Sequence, residues 1–141
     1  MAAKLSILWT DGVAGQGKVT TDHLDVSIAI PADRGGSGNG TDPKTLMIAS
    51  AASCYTMNLT AIMQNRKLPV EAVSVSSEGS DPKSGFTIQH HIEIRLSSGA
   101  TEEQVKSAQS LFDAADRACT IGNLLKKAGA EITVSGTVTV A

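Results

Sequence analysis

The side chains of this sequence best suited to chemistry are its two cysteines, Cys54 and Cys119. A thiolate can attack the terminal oxygen of a peroxide, become a sulfenic acid, and condense with a second thiol to a disulfide that external thiols then reduce. The start Met1-Ala2-Ala3-Lys4 carries no basic-then-apolar leader with a cleavage site, so a cytoplasmic setting is expected, where a cysteine pair is more often reactive than structural. Free cysteines are also among the most buried residue types, so inert packing is the competing reading. Sequence separation alone leaves open whether the two sulfurs meet.

The elements around each thiol sharpen these expectations. Gly40-Thr41-Asp42-Pro43-Lys44-Thr45-Leu46 reads as a helix start, with Thr41 or Asp42 as N-cap and Pro43 in the first turn. The helix is expected to run to Arg66, where Arg66 and Lys67 suit its C-terminal dipole and Pro69 forbids continuation. Cys54 then lies turns away from the helix N-terminus and gains nothing from it, so its activation is expected from a cation on another segment. Arg34, in the glycine-rich loop 32–40, which is expected to be flexible, is the best placed. Cys119 falls where one helix ends and another begins, a place where free N–H groups favour a thiolate and from which it would resolve an oxidised partner.

No charged residue lies between Lys44 and Arg66, a run of about twenty residues that would span a bilayer by length. Ser50, Ser53, Thr56, Asn58, Thr60 and Gln64 are spread round that helix, so burial at the centre of a soluble fold is the expectation, without a membrane partner. Met47, Met57, Met63 and Tyr55 read as packing on this helix.

Alternating patterns in Leu5-Ser6-Ile7-Leu8-Trp9-Thr10 and 24–30 predict half-buried strands, with 15–20 pairing between them and turns at Asp11-Gly12 and Thr21-Asp22-His23. A second hairpin is expected from 70–78 and 86–96, turning at Ser80-Asp81-Pro82-Lys83-Ser84-Gly85. In it Phe86, Ile88, His90, Ile92, Ile94 and Leu96 share one face, which places His90 in the core and the adjacent His91 on the surface, too far apart in direction to share a metal. Thr101-Glu102-Glu103-Gln104 is a capping box opening an amphipathic helix that stops near Cys119. A short helix over 120–128 leads to a last strand with Ile132, Val134, Val138 and Val140 on one face.

Composition narrows the function further. At 141 residues the chain is expected to form a single domain, 1–141, with an aliphatic core, since aromatics are only 3%. A net charge of -2 without a basic run excludes a phosphate backbone as partner, so no nucleic acid is expected. Gly35, Gly36, Gly38 and Gly40 precede a helix but lack the lysine and spacing of a phosphate-binding loop.

The helix-opening segment, followed by Ala51-Ala52-Ser53-Cys54, resembles the signature of the OsmC/Ohr family of thiol-dependent hydroperoxide reductases. Ala118-Cys119-Thr120-Ile121-Gly122-Asn123-Leu124-Leu125 and Glu131-Ile132-Thr133-Val134 are similar to its second cysteine segment and closing strand. The resemblance implies an α+β fold with antiparallel sheets around a long central helix, an intertwined homodimer, and active sites built from both subunits. It implies that Cys54 is the peroxidatic residue, Cys119 the resolving residue and Arg34 the guanidinium that orients the peroxide, with Arg34 placed as in the OsmC branch. The substrates implied are organic hydroperoxides, the reductant a lipoyl-type or similar dithiol, with no cofactor and no metal. Lys44 stands where the family has a glutamate paired with the arginine, Asp42 replaces an asparagine, and Thr120 replaces a proline. Lys44 motivates the alternative of a catalytically weak OsmC-like protein that binds small molecules or serves in stress.

Overall fold

The computed structural model describes residues 3–80, 83 and 85–141. Met1 and Ala2, and Asp81, Pro82 and Ser84 of the turn expected at 80–85, lie outside the described residues. The chain divides into two compact units, residues 1–46 and 47–141.

The first unit is an antiparallel meander of β1 (Ser6–Thr10), β2 (Gln16–Thr21) and β3 (Leu24–Ile28). Asp11 and Gly12 both take left-handed φ values of 68° and 65° at its first turn, a conformation open to glycine and tolerated by aspartate. The Trp9 Nε1–H donates to the Gly12 carbonyl at 2.8 Å, holding the turn closed. β1 is exposed along its whole length rather than half-buried as its alternation predicts, because a small sheet with no helix of its own has nothing to lay over that strand.

After β3 the chain makes a single 3-10 turn, Ala32–Arg34, closed by Gly35 at φ 86°. The loop is tied rather than loose. The Gly36 N–H donates to the Pro31 carbonyl and the Gly38 N–H to the Ile30 carbonyl, each at 3.0 Å. Its end is pinned to β3, where Thr41 N–H donates to the Ser27 carbonyl at 2.8 Å.

α1 (Pro43–Asn65) starts where the sequence predicts. Asp42 is the cap: its Oδ1 accepts the Thr45 N–H at 2.8 Å and its Oδ2 accepts the Thr45 hydroxyl at 3.1 Å. These bonds, with the Lys44 charge, hold the Asp42 carboxyl below its usual range. At the other end the Leu68 N–H reaches the Met63 carbonyl and the Lys67 N–H the Gln64 carbonyl, the paired bonds of a Schellman stop. Lys67 occupies its left-handed position at φ 57°, where glycine is usual.

The second unit carries β4 (Val70–Gly79), β5 (Thr87–Leu96) and β6 (Glu131–Val140) in that spatial order. β4 and β5 are antiparallel, but β6 runs parallel to β5, pairing Thr87 with Glu131 and Leu96 with Val140. The sheet is therefore mixed, which corrects the expectation of purely antiparallel sheets. The reason is the connection: α2 (Glu102–Gln109), α3 (Leu111–Ala118) and α4 (Thr120–Lys127) form a crossover that returns the chain to the same end of the sheet. The Thr101 capping box is present, and the one helix expected up to Cys119 is divided at Ser110, whose hydroxyl donates to the Ser107 carbonyl at 2.7 Å.

β5 alternates buried and exposed without interruption, so Ile88, His90, Ile92, Ile94 and Leu96 face inward and His91 outward, as predicted. Tyr55, Leu59 and Met63 of α1 pack there with Leu111 and Phe112 of α3. Gly136 on β6 makes room for Phe112: a Cβ at that position would lie 2.6 Å from the Phe112 ring.

α1 itself is buried only along Ala51, Tyr55, Leu59 and Met63. Its spacing of four matches one stripe of a helix, so within the chain one face of α1 is buried. By length and composition α1 could cross a membrane, with 22% of its apolar window buried within the chain.

Candidate active site

The rotation of α1 is fixed by Tyr55. Its ring is fully buried and stacks on His90, centroids 5.2 Å apart, while its hydroxyl donates to the Phe112 carbonyl at 2.9 Å. Burial pushes the Tyr55 hydroxyl well above its ordinary value, so it stays a donor. Burial likewise holds His90 below the usual imidazole range, with Asp116 opposing, and the Ser77 hydroxyl meets its Nδ1 at 2.6 Å. With Tyr55 locked, its neighbour Cys54 is turned onto the edge of the core and is half-buried.

Cys119 ends α3 and caps α4. Its extended backbone (φ -75°, ψ 104°) aims the side chain along the α4 axis, where Sγ accepts the Gly122 N–H at 3.3 Å. The Cys119 thiol is 2% exposed and donates to the Ala51 carbonyl at 3.7 Å, which brings it against the α1 turn that precedes Cys54. The two thiols are close enough that each shifts the acidity of the other. Both cysteines are free.

The donors around the sulfurs come from two helices. The backbone N–H groups of Ile121 and Thr120, in the first turn of α4, favour the Cys54 thiolate, while the Gly122 N–H donates to the Cys119 Sγ at 3.3 Å. All three are amide groups that a helix start leaves without an intrahelical partner. From α1, the Asn58 Nδ2 approaches the Cys54 Sγ at 3.6 Å.

The two thiols are driven apart in acidity. Burial pushes Cys54 up, but the Ile121 N–H, the Cys119 thiol, the Thr120 N–H and Asn58 together outweigh it and hold Cys54 below an ordinary thiol. Burial pushes Cys119 up against the Gly122 N–H, and the hydrogen bond and charge of Cys54, with Asp116, push the same way. Asp116 is held by Lys126 at 2.8 Å, and its carbonyl accepts the Cys119 N–H at 3.2 Å. Of the two sulfurs, Cys54 ionises the more easily and Cys119 the less easily.

The groups named for the lowering of Cys54 are uncharged donors, chiefly the start of α4. Those amides were expected to favour a thiolate on Cys119; two of the three serve Cys54 instead. Arg34 belongs to the first unit, exposed on the 3-10 turn, and among the described residues of that unit it has no ion-pair partner. Asp42 is committed to Thr45.

A family model described as OsmC-like protein matches residues 36–135, a span that holds both cysteines and begins just after Arg34. The chain belongs to this family. Among relatives of this OsmC-like protein, an uncharacterized protein, YmaD, from Bacillus subtilis is 30% identical over 123 residues, covering 84% of this chain and 82% of its own. A protein named organic hydroperoxide resistance protein from Xanthomonas axonopodis pv. citri is also 30% identical, over 118 residues, with 81% and 80% covered. The crystal structure of an OsmC-like protein from Mycoplasma pneumoniae has the same α+β fold, with a TM-score of 0.70 at 18% identity and 99% of each chain covered.

Sequence reasoning passed over Asn58, and it assigned the amides at the start of α4 to Cys119 without foreseeing their effect on Cys54. A signal for the first was available: an asparagine one turn after a cysteine on the same helix shares its face. The amides had no signal in residue type, since a backbone N–H belongs to every non-proline residue and only the fold aims it.

Proposed function

We propose that this OsmC-like protein is a thiol-dependent peroxidase that reduces organic hydroperoxides to alcohols. The Cys54 thiolate attacks the terminal oxygen of the hydroperoxide; the S–O bond forms, the O–O bond breaks, and the departing alkoxide takes up a proton to become the alcohol. Cys54 is then a sulfenic acid. The Cys119 sulfur attacks it, the S–S bond forms, and the sulfenic hydroxyl leaves with the Cys119 proton as water. A dithiol of the lipoyl type returns both thiols by exchange and is itself oxidised to a disulfide.

The observation that carries this reading is Cys119 seated against the α1 turn before Cys54, its thiol on the Ala51 carbonyl at 3.7 Å, with Cys54 pushed below and Cys119 above an ordinary thiol. An attacking sulfur must be a thiolate, and a resolving sulfur must stand within reach of it. Organic rather than inorganic peroxides suit the surroundings of Cys54, since 45–65 carry no charge and Met57, one turn on, is 72% exposed. The name of the Xanthomonas relative agrees with this substrate class.

Arg34 is proposed to orient the peroxide. A homodimer is proposed to complete the site, supported by the apolar α1 surface left outside the buried stripe and by the exposed apolar side chains of β1. The working compartment proposed is the cytoplasm.

Consumption of cumene hydroperoxide with dithiothreitol as reductant tests the reading. Turnover by the wild type and its loss in Cys54→Ser is the expected result. Equal turnover by the mutant would remove Cys54 from the mechanism, and no turnover by the wild type would leave the small-molecule-binding alternative that Lys44 motivates.

A further inference from the structure

We propose that Asn58 is a catalytic residue of this site, its carboxamide anchored by Nδ2 to the Cys54 carbonyl and presenting a second N–H to the reacting sulfur. This deepens the peroxidase reading and rests on it for the reaction, though not for the contact with the thiol.

The geometry is a short lever on one helix. Asn58 Nδ2 donates to the Cys54 carbonyl at 2.9 Å and stands 3.6 Å from the Cys54 Sγ, within hydrogen-bond reach for sulfur. A carboxamide nitrogen carries two hydrogens, so both acceptors can be served at once. The carbonyl anchor removes the rotational freedom of the Asn58 side chain, and the N–H that remains is fixed in direction toward the sulfur. Asn58 is half-buried, which strengthens such a contact relative to one in water.

Helix physics gives no other reason for this residue. Asparagine in a helix interior is poorer than alanine or leucine, because its side chain competes for backbone hydrogen bonds. The position lies in the middle of α1, far from either cap. Among the described residues, the acceptors of its Nδ2 are both atoms of Cys54.

Asn58 also differs from the other donors in how it travels. The Thr120 and Ile121 amides belong to α4, whose cap is the Cys119 sulfur itself. When Cys119 leaves the Gly122 N–H to bond to Cys54, that helix start is disturbed. Asn58 rides on the same helix as Cys54 and keeps its place through thiolate, sulfenic acid and disulfide.

The test is the pH profile of Cys54 alkylation by iodoacetamide, with thiolate absorbance as a second readout, in the full-length protein and in Asn58→Leu, Asn58→Asp and Asn58→Gln. Asn58→Leu keeps the shape and loses the donor, and is expected to raise the midpoint by about half to one pH unit, slowing alkylation at neutral pH about three- to tenfold. Asn58→Asp sets a negative charge beside the thiolate and is expected to raise it by about one unit or more. Asn58→Gln, which keeps the amide, restores part of the shift. Wild-type midpoints in Leu and Asp variants that retain the wild-type circular dichroism overturn the proposal; should the Leu variant not fold, the Asp variant decides. A shifted midpoint in a protein that consumes no hydroperoxide would instead overturn the peroxidase reading and leave the Asn58 contact standing.

Discussion

The Cys119 thiol donates to the Ala51 carbonyl at 3.7 Å, on the α1 turn that leads into Cys54, and the two thiols are pushed in opposite directions, Cys54 below and Cys119 above an ordinary thiol. The pair therefore titrates in a fixed order. Cys54 reactivity is fully present above its lowered value and is lost as pH falls through it. A pH series of alkylation followed by peptide mapping is expected to modify Cys54 below the ordinary thiol range and Cys119 only above it.

Serine at position 119 keeps a hydroxyl donor toward Cys54 but cannot form the disulfide. Cys119→Ser is expected to consume one equivalent of hydroperoxide and stop, with Cys54 held as a sulfenic acid that dimedone traps. Intact-mass analysis checks this, and continued turnover at the wild-type rate would remove Cys119 from resolution.

Buried neutral His90 makes the fold sensitive to acid. Its folded value lies below the ordinary 6.5, so on acidification the unfolded chain takes up this proton first. Stability from this group is complete above that ordinary value and is lost as pH falls from there through the folded one. Thermal melts are expected to decline over that window, and His90→Phe, which keeps an aromatic ring against Tyr55, is expected to flatten the decline even where its absolute melting temperature is lower.

Two substitutions test the packing that holds the site. Lys67→Gly relieves a left-handed residue at the end of α1 and is expected to stabilise by about 0.5–1 kcal/mol. Gly136→Ala drives a methyl group into the Phe112 ring and the Ile92 carbonyl and is expected to destabilise by about 1–3 kcal/mol. Adding Phe112→Leu to Gly136→Ala is expected to recover part of that loss. Denaturant midpoints measure both.

Much of the fold was legible because the signals are local. Asp42 and Pro43 announce the start of α1, the Thr101 box that of α2, and the alternation from Ile88 to Leu96 sets the inward face of β5. What failed depends on neighbours that no local pattern names. The β1 alternation does not show that nothing in its own unit covers the strand, and the β6 pattern reads the same in a parallel as in an antiparallel pairing. At the site, residue types pointed to the cysteines, whereas the amides that lower Cys54 are backbone groups aimed by the α3–α4 junction. Arg34 is pointed to by its place in the loop before α1 and by the family resemblance, and its part in the site stands as a proposal.

The most direct measurement is to treat the reduced protein with one equivalent of cumene hydroperoxide, without reductant, and map its peptides under non-reducing conditions. A single linked peptide joining Cys54 to Cys119, with both free thiols lost together, is the expected result. Both cysteines still titrating as thiols after that exposure, in a protein that remains folded, would contradict a redox role for the pair.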